Sequence, residues 1–173
     1  MIFLKNLVVD CIETFYCDSY QEIIPNIYLG NRNSAKDNTL LDKIYLVVNC
    51  SEEISFYSNK TKNFRVNVPD NLSLDCNLKI LVYINQILPI MYKCYMANQP
   101  ILVHCRAGMH RSATVVACFL MRYFNFNKDS AIQYIKSKRP VAFFPGANFD
   151  LSLELFYKNI LKSKQVGNSH FLY

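Results

Sequence analysis

Residues 101–112 read Ile101-Leu102-Val103-His104-Cys105-Arg106-Ala107-Gly108-Met109-His110-Arg111-Ser112. A short apolar, β-branched run ends on a cysteine, and helical periodicity begins again at Ser112 and continues to Phe124. Strand, five-residue loop, arginine and helix make a backbone cup. The amides of Arg106, Ala107, Gly108, Met109, His110 and Arg111 can turn inward around one tetrahedral oxyanion, and the positive end of the following helix points at the same spot. Gly108 supplies the bend that such a loop needs. Arg111 closes the ring with a planar fork able to hold two oxygens of a phosphate at once, which Lys does less well. Cys105 then lies beneath the bound phosphorus as the candidate nucleophile, since converging amide dipoles favour a thiolate. Ser112 can donate its hydroxyl to the sulfur. His104 is expected behind the loop, holding backbone rather than serving as a base.

Outward from this segment, short strands alternate with amphipathic stretches. Ile23 to Leu29, Ile44 to Asn49, Phe64 to Val68 and Ile101 to His104 read as strands, bounded by Gly, Pro, Asn or Asp. Helical spacing fits Ser34 to Asp42, Leu78 to Met96 around Pro89, Ser112 to Phe124, Lys128 to Lys138 and Phe149 to Lys162. The expected fold is α/β, a single domain with a central mixed, mostly parallel sheet of four to five strands flanked by helices. Residues 21–163 form its body. Residues 1–20 are expected to be an N-terminal helical extension, with Phe3, Leu7, Ile12 and Phe15 near one face, able to pack on the domain or on a second copy. Residues 164–173 are read as a tail.

Composition agrees with one compact domain. The 173 residues are 51% hydrophobic and 18% charged with four glycines, which excludes a disordered, collagen-like or solvating chain. Nineteen Lys and Arg against thirteen Asp and Glu leave a net charge of +6, suited to an anionic partner. No apolar run is long enough to span a membrane. Lys5 within the first apolar stretch and Asp10 after it do not make a secretory leader, so the chain is expected inside the cell, cytoplasmic, with the nucleus left open. Seven cysteines without a C-x-x-C pair, and three histidines without metal spacing, give no disulfide framework and an expectation of no metal and no cofactor. Lys136, Lys138 and Arg139, like Lys158, Lys162 and Lys164, read as solvated helix faces.

The run His104-Cys105-x5-Arg111-Ser112 resembles the cysteine-based protein tyrosine phosphatases. Its wording from His104 to Thr114, followed by Cys118-Phe119-Leu120-Met121, is similar to the dual-specificity branch. Further matches are Ile27-Tyr28-Leu29-Gly30 with Ala35, Val47-Val48-Asn49, and Arg139-Pro140 through Pro145, Asn148 and Phe149. The resemblance implies a phosphorylated protein substrate, hydrolysis of phosphotyrosine and phosphoserine or phosphothreonine through a cysteinyl-phosphate intermediate, and no cofactor. It also implies an aspartic general acid, for which Val68-Pro69-Asp70-Asn71 offers Asp70. Asp75 is the rival, because it lies thirty residues before Cys105, near the family's usual spacing, whereas Asp70 lies thirty-five before it. Asp75 also suits a helix N-cap.

Two neighbouring activities share this chemistry. Inositol phosphate and phosphoinositide phosphatases resemble the chain in a basic residue beside the cysteine, here Arg106, but commonly carry another cation where Met109 stands. RNA 5′-triphosphatases of the superfamily differ at residues 106, 107, 110, 112 and 113, which argues against nucleic acid as a partner. A phospho-binding module without catalysis would usually lack the Cys, the Arg or the acid. Arg106 and His110 are expected to add charge at the pocket mouth, and no Lys-Asn-Arg-Tyr segment like that of the large tyrosine-specific enzymes occurs. Cys50, just past the Val47-Val48-Asn49 strand, is a candidate redox partner of Cys105 if the two strands are neighbours.

Overall fold

A computed structural model describes residues 18–71 and 73–169. The N-terminal segment with Cys11 and Cys17, its suggested contact with a second copy, and His170 lie outside the described residues. The strands are β1 (Tyr20–Ile24), β2 (Ile27–Gly30), β3 (Leu46–Asn49), β4 (Lys62–Arg65) and β5 (Ile101–His104). The helices are α1 (Asn38–Leu41), α2 (Leu74–Met96), α3 (Arg111–Tyr123), α4 (Lys128–Lys138) and α5 (Asp150–Ser169). They form one α/β domain around a five-stranded sheet of order β1-β2-β5-β3-β4. Only β1 and β2 are antiparallel; β2 with β5, β5 with β3, and β3 with β4 run parallel. Four strands therefore end at one edge of the sheet, where open parallel sheets bind their ligands.

The central strands β3 and β5 are buried along their whole length, as expected of parallel strands covered on both faces. On one face, Leu40, Leu41 and Ile44 pack on Val47 and Leu102. On the other, Val48 and Val103 join the large core built with α2, α3, α4 and α5. Every residue of α3 from Arg111 to Met121 is buried. A helix covered all round sits in the interior, so its N-terminus is held rigidly at the end of β5.

Several boundaries differ from the sequence reading. Ile23 to Leu29, expected as one strand, is a hairpin: Asn26 adopts φ +66° and its amide donates to Glu22 Oε1 at 2.8 Å, a conformation that Asn tolerates and that reverses the chain. Ser34 to Asp42, expected as one helix, is a 3₁₀ turn followed by α1. The break is Asp37, extended at ψ 101°, whose carboxylate accepts from Leu40 N at 3.1 Å. The long helix starts at Leu74, because Ser73 rather than Asp75 is its N-cap, accepting from Cys76 N at 3.2 Å. It continues through Pro89 to Met96. β4 occupies Lys62–Arg65, and Val66 N still donates to Asn49 O at 2.9 Å before the chain leaves the sheet. At the two ends, Tyr20 already pairs with Gly30, and α5 runs past residue 164 to Ser169, so helix continues where a tail was expected. No helix among the described residues is long and apolar enough to cross a membrane.

Candidate active site

The loop from Cys105 to His110 joins β5 to α3, between the ends of β2 and β3. Its carbonyls are tied outward one after another. Arg106 O accepts from Arg32 N at 3.0 Å, and Met109 O accepts from Phe143 N at 2.8 Å. Ala107 O and Gly108 O accept from Arg139 Nη2 and Nε at 3.2 and 3.0 Å, and His110 O accepts from Thr114 N at 2.8 Å. A trans peptide points its N–H away from its C=O, so fixing four successive carbonyls to the scaffold turns the amides of Ala107 to His110 to the opposite side. Cys105 lies on that side. Gly108 N donates to Cys105 Sγ at 3.2 Å, and Ser112 Oγ stands 3.2 Å from the same sulfur. Two donors on one sulfur stabilise it when it carries negative charge.

Gly108 is required twice over. Its φ is +66°, and a Cβ there would lie 2.6 Å from Gly30 O and 2.8 Å from Arg139 Nη2. A side chain would collide with the groups that shape the loop.

Arg139 is the largest fully buried side chain among the described residues. Expected on a solvated face, it instead fills the space behind the loop, where its Nη1 also donates to Asp18 O at 3.1 Å and to Gln21 Oε1. The helical period of α4 ends at Lys138, so extrapolating that face to Arg139 fails. His110, expected at the mouth, is buried at 8% exposure, while Arg106 is half-buried.

Arg111 is 4% exposed and begins α3. Its Nη1 donates to Val68 O at 3.3 Å. Its Nε lies 3.5 Å from Asp70 Oδ2, and Nη1 lies 3.8 Å from Glu53 Oε2. Nε makes no hydrogen bond, which leaves a buried donor unsatisfied beside the loop. Burial lowers the Arg111 pKa, but the negative charges of Cys105, Asp70 and Glu53 outweigh it and raise the guanidinium above its ordinary value. Asp70 also accepts from Asn148 Nδ2 at 2.9 Å. Asp75 is exposed in the first turn of α2, where a negative charge suits the helix dipole. The structure thus brings Asp70 to Arg111.

His104 is fully buried, and neither ring nitrogen completes a hydrogen bond. Its main chain does the holding expected of its side chain: His104 O accepts from Cys50 N at 2.7 Å. Burial pushes the imidazole down to about 4, against an upward pull from the Cys105 backbone, and the charges of Arg65 and Arg111 add smaller downward pushes. Such a ring is neutral at pH 7. Cys50 follows the pair Asn49 and His104 in the ladder. It is wholly buried, and burial together with the charge on Cys105 pushes its thiol up, against a smaller opposite pull from Arg111. Among the described residues, no group of three or more His, Cys, Asp or Glu side chains could hold a metal ion.

Nothing in the local sequence marks Glu53 or Arg65 as site residues. The available signal was topological: residues just past the end of a parallel strand face the ligand edge, and Glu53 lies just past β3.

Comparison with known proteins gives a consistent set of relatives. The family model described as "Dual specificity phosphatase, catalytic domain" matches residues 27–159. The chain is 34% identical over 161 residues to the tyrosine-protein phosphatase vhp-1 of Caenorhabditis elegans, covering 91% of this chain and 24% of that protein. It is 32% identical over 149 residues to human dual specificity protein phosphatase 16, covering 85% of this chain and 22% of that one. The chain therefore spans about a quarter of the length of these curated relatives. The crystal structure of human DUSP28 superposes with a TM-score of 0.75 at 26% identity, covering 84% of this chain and 97% of that one.

Proposed function

The chain belongs to the family of dual-specificity phosphatase catalytic domains, and from that premise we propose that it hydrolyses phosphate monoesters on phosphotyrosine and phosphoserine or phosphothreonine of proteins. One observation carries the reading: Cys105 Sγ lies within reach of Gly108 N–H and Ser112 Oγ, inside a loop whose carbonyls from Arg106 to Met109 are bonded outward.

In the first step the Cys105 thiolate attacks phosphorus and the bond from phosphorus to the leaving oxygen breaks. Asp70 gives that oxygen its proton, a contribution worth ~10²–10⁴ in rate. The loop amides and the Arg111 fork hold the three equatorial oxygens, where charge sits in the transition state. In the second step water attacks the cysteinyl phosphate, Asp70 takes the water's proton, and the sulfur leaves as a thiolate stabilised by the Ser112 hydroxyl. His104, buried and neutral, is a scaffold residue with no proton to transfer at pH 7. Met109 is 2% exposed, so the loop position at which inositol-directed relatives commonly carry a cation is apolar and covered here.

The test is turnover of phosphotyrosyl and phosphothreonyl peptides, inositol phosphates, phosphoinositides and triphosphate-ended RNA, with Cys105→Ser as the blank. Release of phosphate from both peptides, absent in the blank, supports the proposal. Activity confined to lipid, inositol or RNA substrates refutes it.

A further inference from the structure

Glu53 and Asp70 both lie against the Arg111 guanidinium, at Nη1 and at Nε. The Glu53 carboxylate is half exposed, whereas the Arg111 fork it faces is 4% exposed. The segment that carries it is braced on both sides. Asn49 Nδ2 donates to Ile54 O at 2.7 Å, and Asn49 Oδ1 accepts from Ser51 N and Ser51 Oγ at 3.1 and 2.6 Å. Arg65 reaches across from β4 to Ser51 O, to Glu52 O at 3.4 Å and to Ile54 O at 2.9 Å. Its guanidinium also covers the Phe56 ring at 4.8 Å from the centroid. The carbonyls just before and just after Glu53 are thereby fixed, and the Glu53 side chain projects from a rigid point.

We propose that Glu53 is a built-in competitor for the phosphate site: its carboxylate occupies the electrostatic field of Arg111 in the empty pocket and is opposed by the incoming dianion, so that it weakens phosphate binding and speeds product release. The inference rests on the phosphate-cradle reading of the Cys105 loop. Distance decides the sign of the effect. At 3.8 Å from Nη1 the carboxylate attracts the guanidinium without the directional bond that would orient it. Orientation comes from Val68 O at 3.3 Å. What Glu53 adds is charge: attraction to Arg111 that favours the empty site, and repulsion of a phosphate that favours the same state. A neutral isostere removes both.

Asp70 cannot be treated the same way, because the reaction uses its proton. Glu53 has no such duty in the proposed steps, and its half-exposed side chain can turn to solvent when phosphate enters.

The experiment measures binding of inorganic phosphate by calorimetry in the Cys105→Ser protein, alone and combined with Glu53→Gln, Glu53→Asp or Glu52→Gln. Glu52→Gln removes the same formal charge next door and serves as the control for net charge. Melting temperatures verify that each protein is folded. Glu53→Gln is expected to lower the Kd about three- to tenfold, as suits one partly screened charge. Glu53→Asp, one methylene shorter, should lie between, and Glu52→Gln should change the Kd less than twofold. The gap between parent and Glu53→Gln should narrow as salt is raised, a response that a purely structural role would not give. An unchanged or higher Kd in Glu53→Gln overturns the proposal, as does an equal effect of Glu52→Gln. Absence of phosphate binding in the parent instead overturns the cradle reading itself, and this inference falls with it.

Discussion

Acidification from pH 7.5 to 5 should destabilise this protein through His104. The ring is buried at the end of β5, makes no hydrogen bond through either nitrogen, and is pushed from 6.5 down to about 4. In the unfolded chain it takes up a proton near pH 6.5; in the folded chain it does so only near 4. Between those values the unfolded state binds more protons, so stability falls as pH falls. The contribution is intact above pH 6.5 and is lost progressively down to about 4, for a total of about 3 kcal/mol. About 2 kcal/mol of this should be gone by pH 5, before most carboxylates have titrated. The assay is urea unfolding at pH 7.5 and 5.0 for the wild type and for His104→Gln. The glutamine variant pays its own packing cost at both pH values, and that cost cancels in the difference. The wild type should lose about 2 kcal/mol more than the variant across the interval. Equal losses in the two proteins would refute the assignment of His104 as a neutral buried ring.

Three further outcomes are expected. Asp70→Asn should slow hydrolysis of an alkyl phosphate by roughly 10²–10⁴ but that of an activated aryl phosphate far less, while Asp75→Asn changes either by less than about threefold because its side chain lies on the exposed first turn of α2. Steady-state rates on the two substrates decide this, and exchange of the two phenotypes would restore Asp75 as the acid. Arg139→Met should cost about 3 kcal/mol or more, since the carbonyls of Ala107 and Gly108 lose their buried donor; phosphate-binding calorimetry should show a weakened cradle, and retention of full affinity would mean that the loop holds its shape unaided. Cys50 is next in the ladder after Asn49, the partner of His104. Mild peroxide should therefore convert Cys105 to the sulfenic acid, which the Cys50 thiol displaces with loss of water to form a reducible disulfide. Mass spectrometry should find Cys105 advancing to sulfinic acid faster in Cys50→Ala, and equal rates would exclude the bridge.

What could be read from the chain alone was whatever depends on near neighbours. The loop from Cys105 to Ser112 states its own chemistry, because a thiol, a run of amides, a glycine and an arginine act on one anion only when they are contiguous. β5 and α4 match their expected bounds of 101–104 and 128–138, since each is marked by local periodicity and turn residues. Where the expectations failed, a local contest was decided by one side-chain bond. Ser73 rather than Asp75 took the cap of α2, Asp37 broke a helix by accepting from Leu40 N, and Asn26 turned one strand into two.

Only the tertiary structure decided how distant residues meet. Asp70 comes to Arg111 because β4 leaves the sheet beside β3, and Val68 O then binds Arg111 across forty-three positions of chain. Arg139 became a buried brace, its guanidinium satisfied by carbonyls of residues 18, 107 and 108. No pattern in one segment reports acceptors supplied by two others. Glu53 reaches the same arginine from the end of β3, and nothing in its own neighbourhood distinguishes it from Glu52. Residue type and spacing determine which chemistry a chain can perform. Strand order determines which charges share the site, because an electrostatic interaction depends on separation in space, and the sheet brings the ends of β2, β5, β3 and β4 to a single edge.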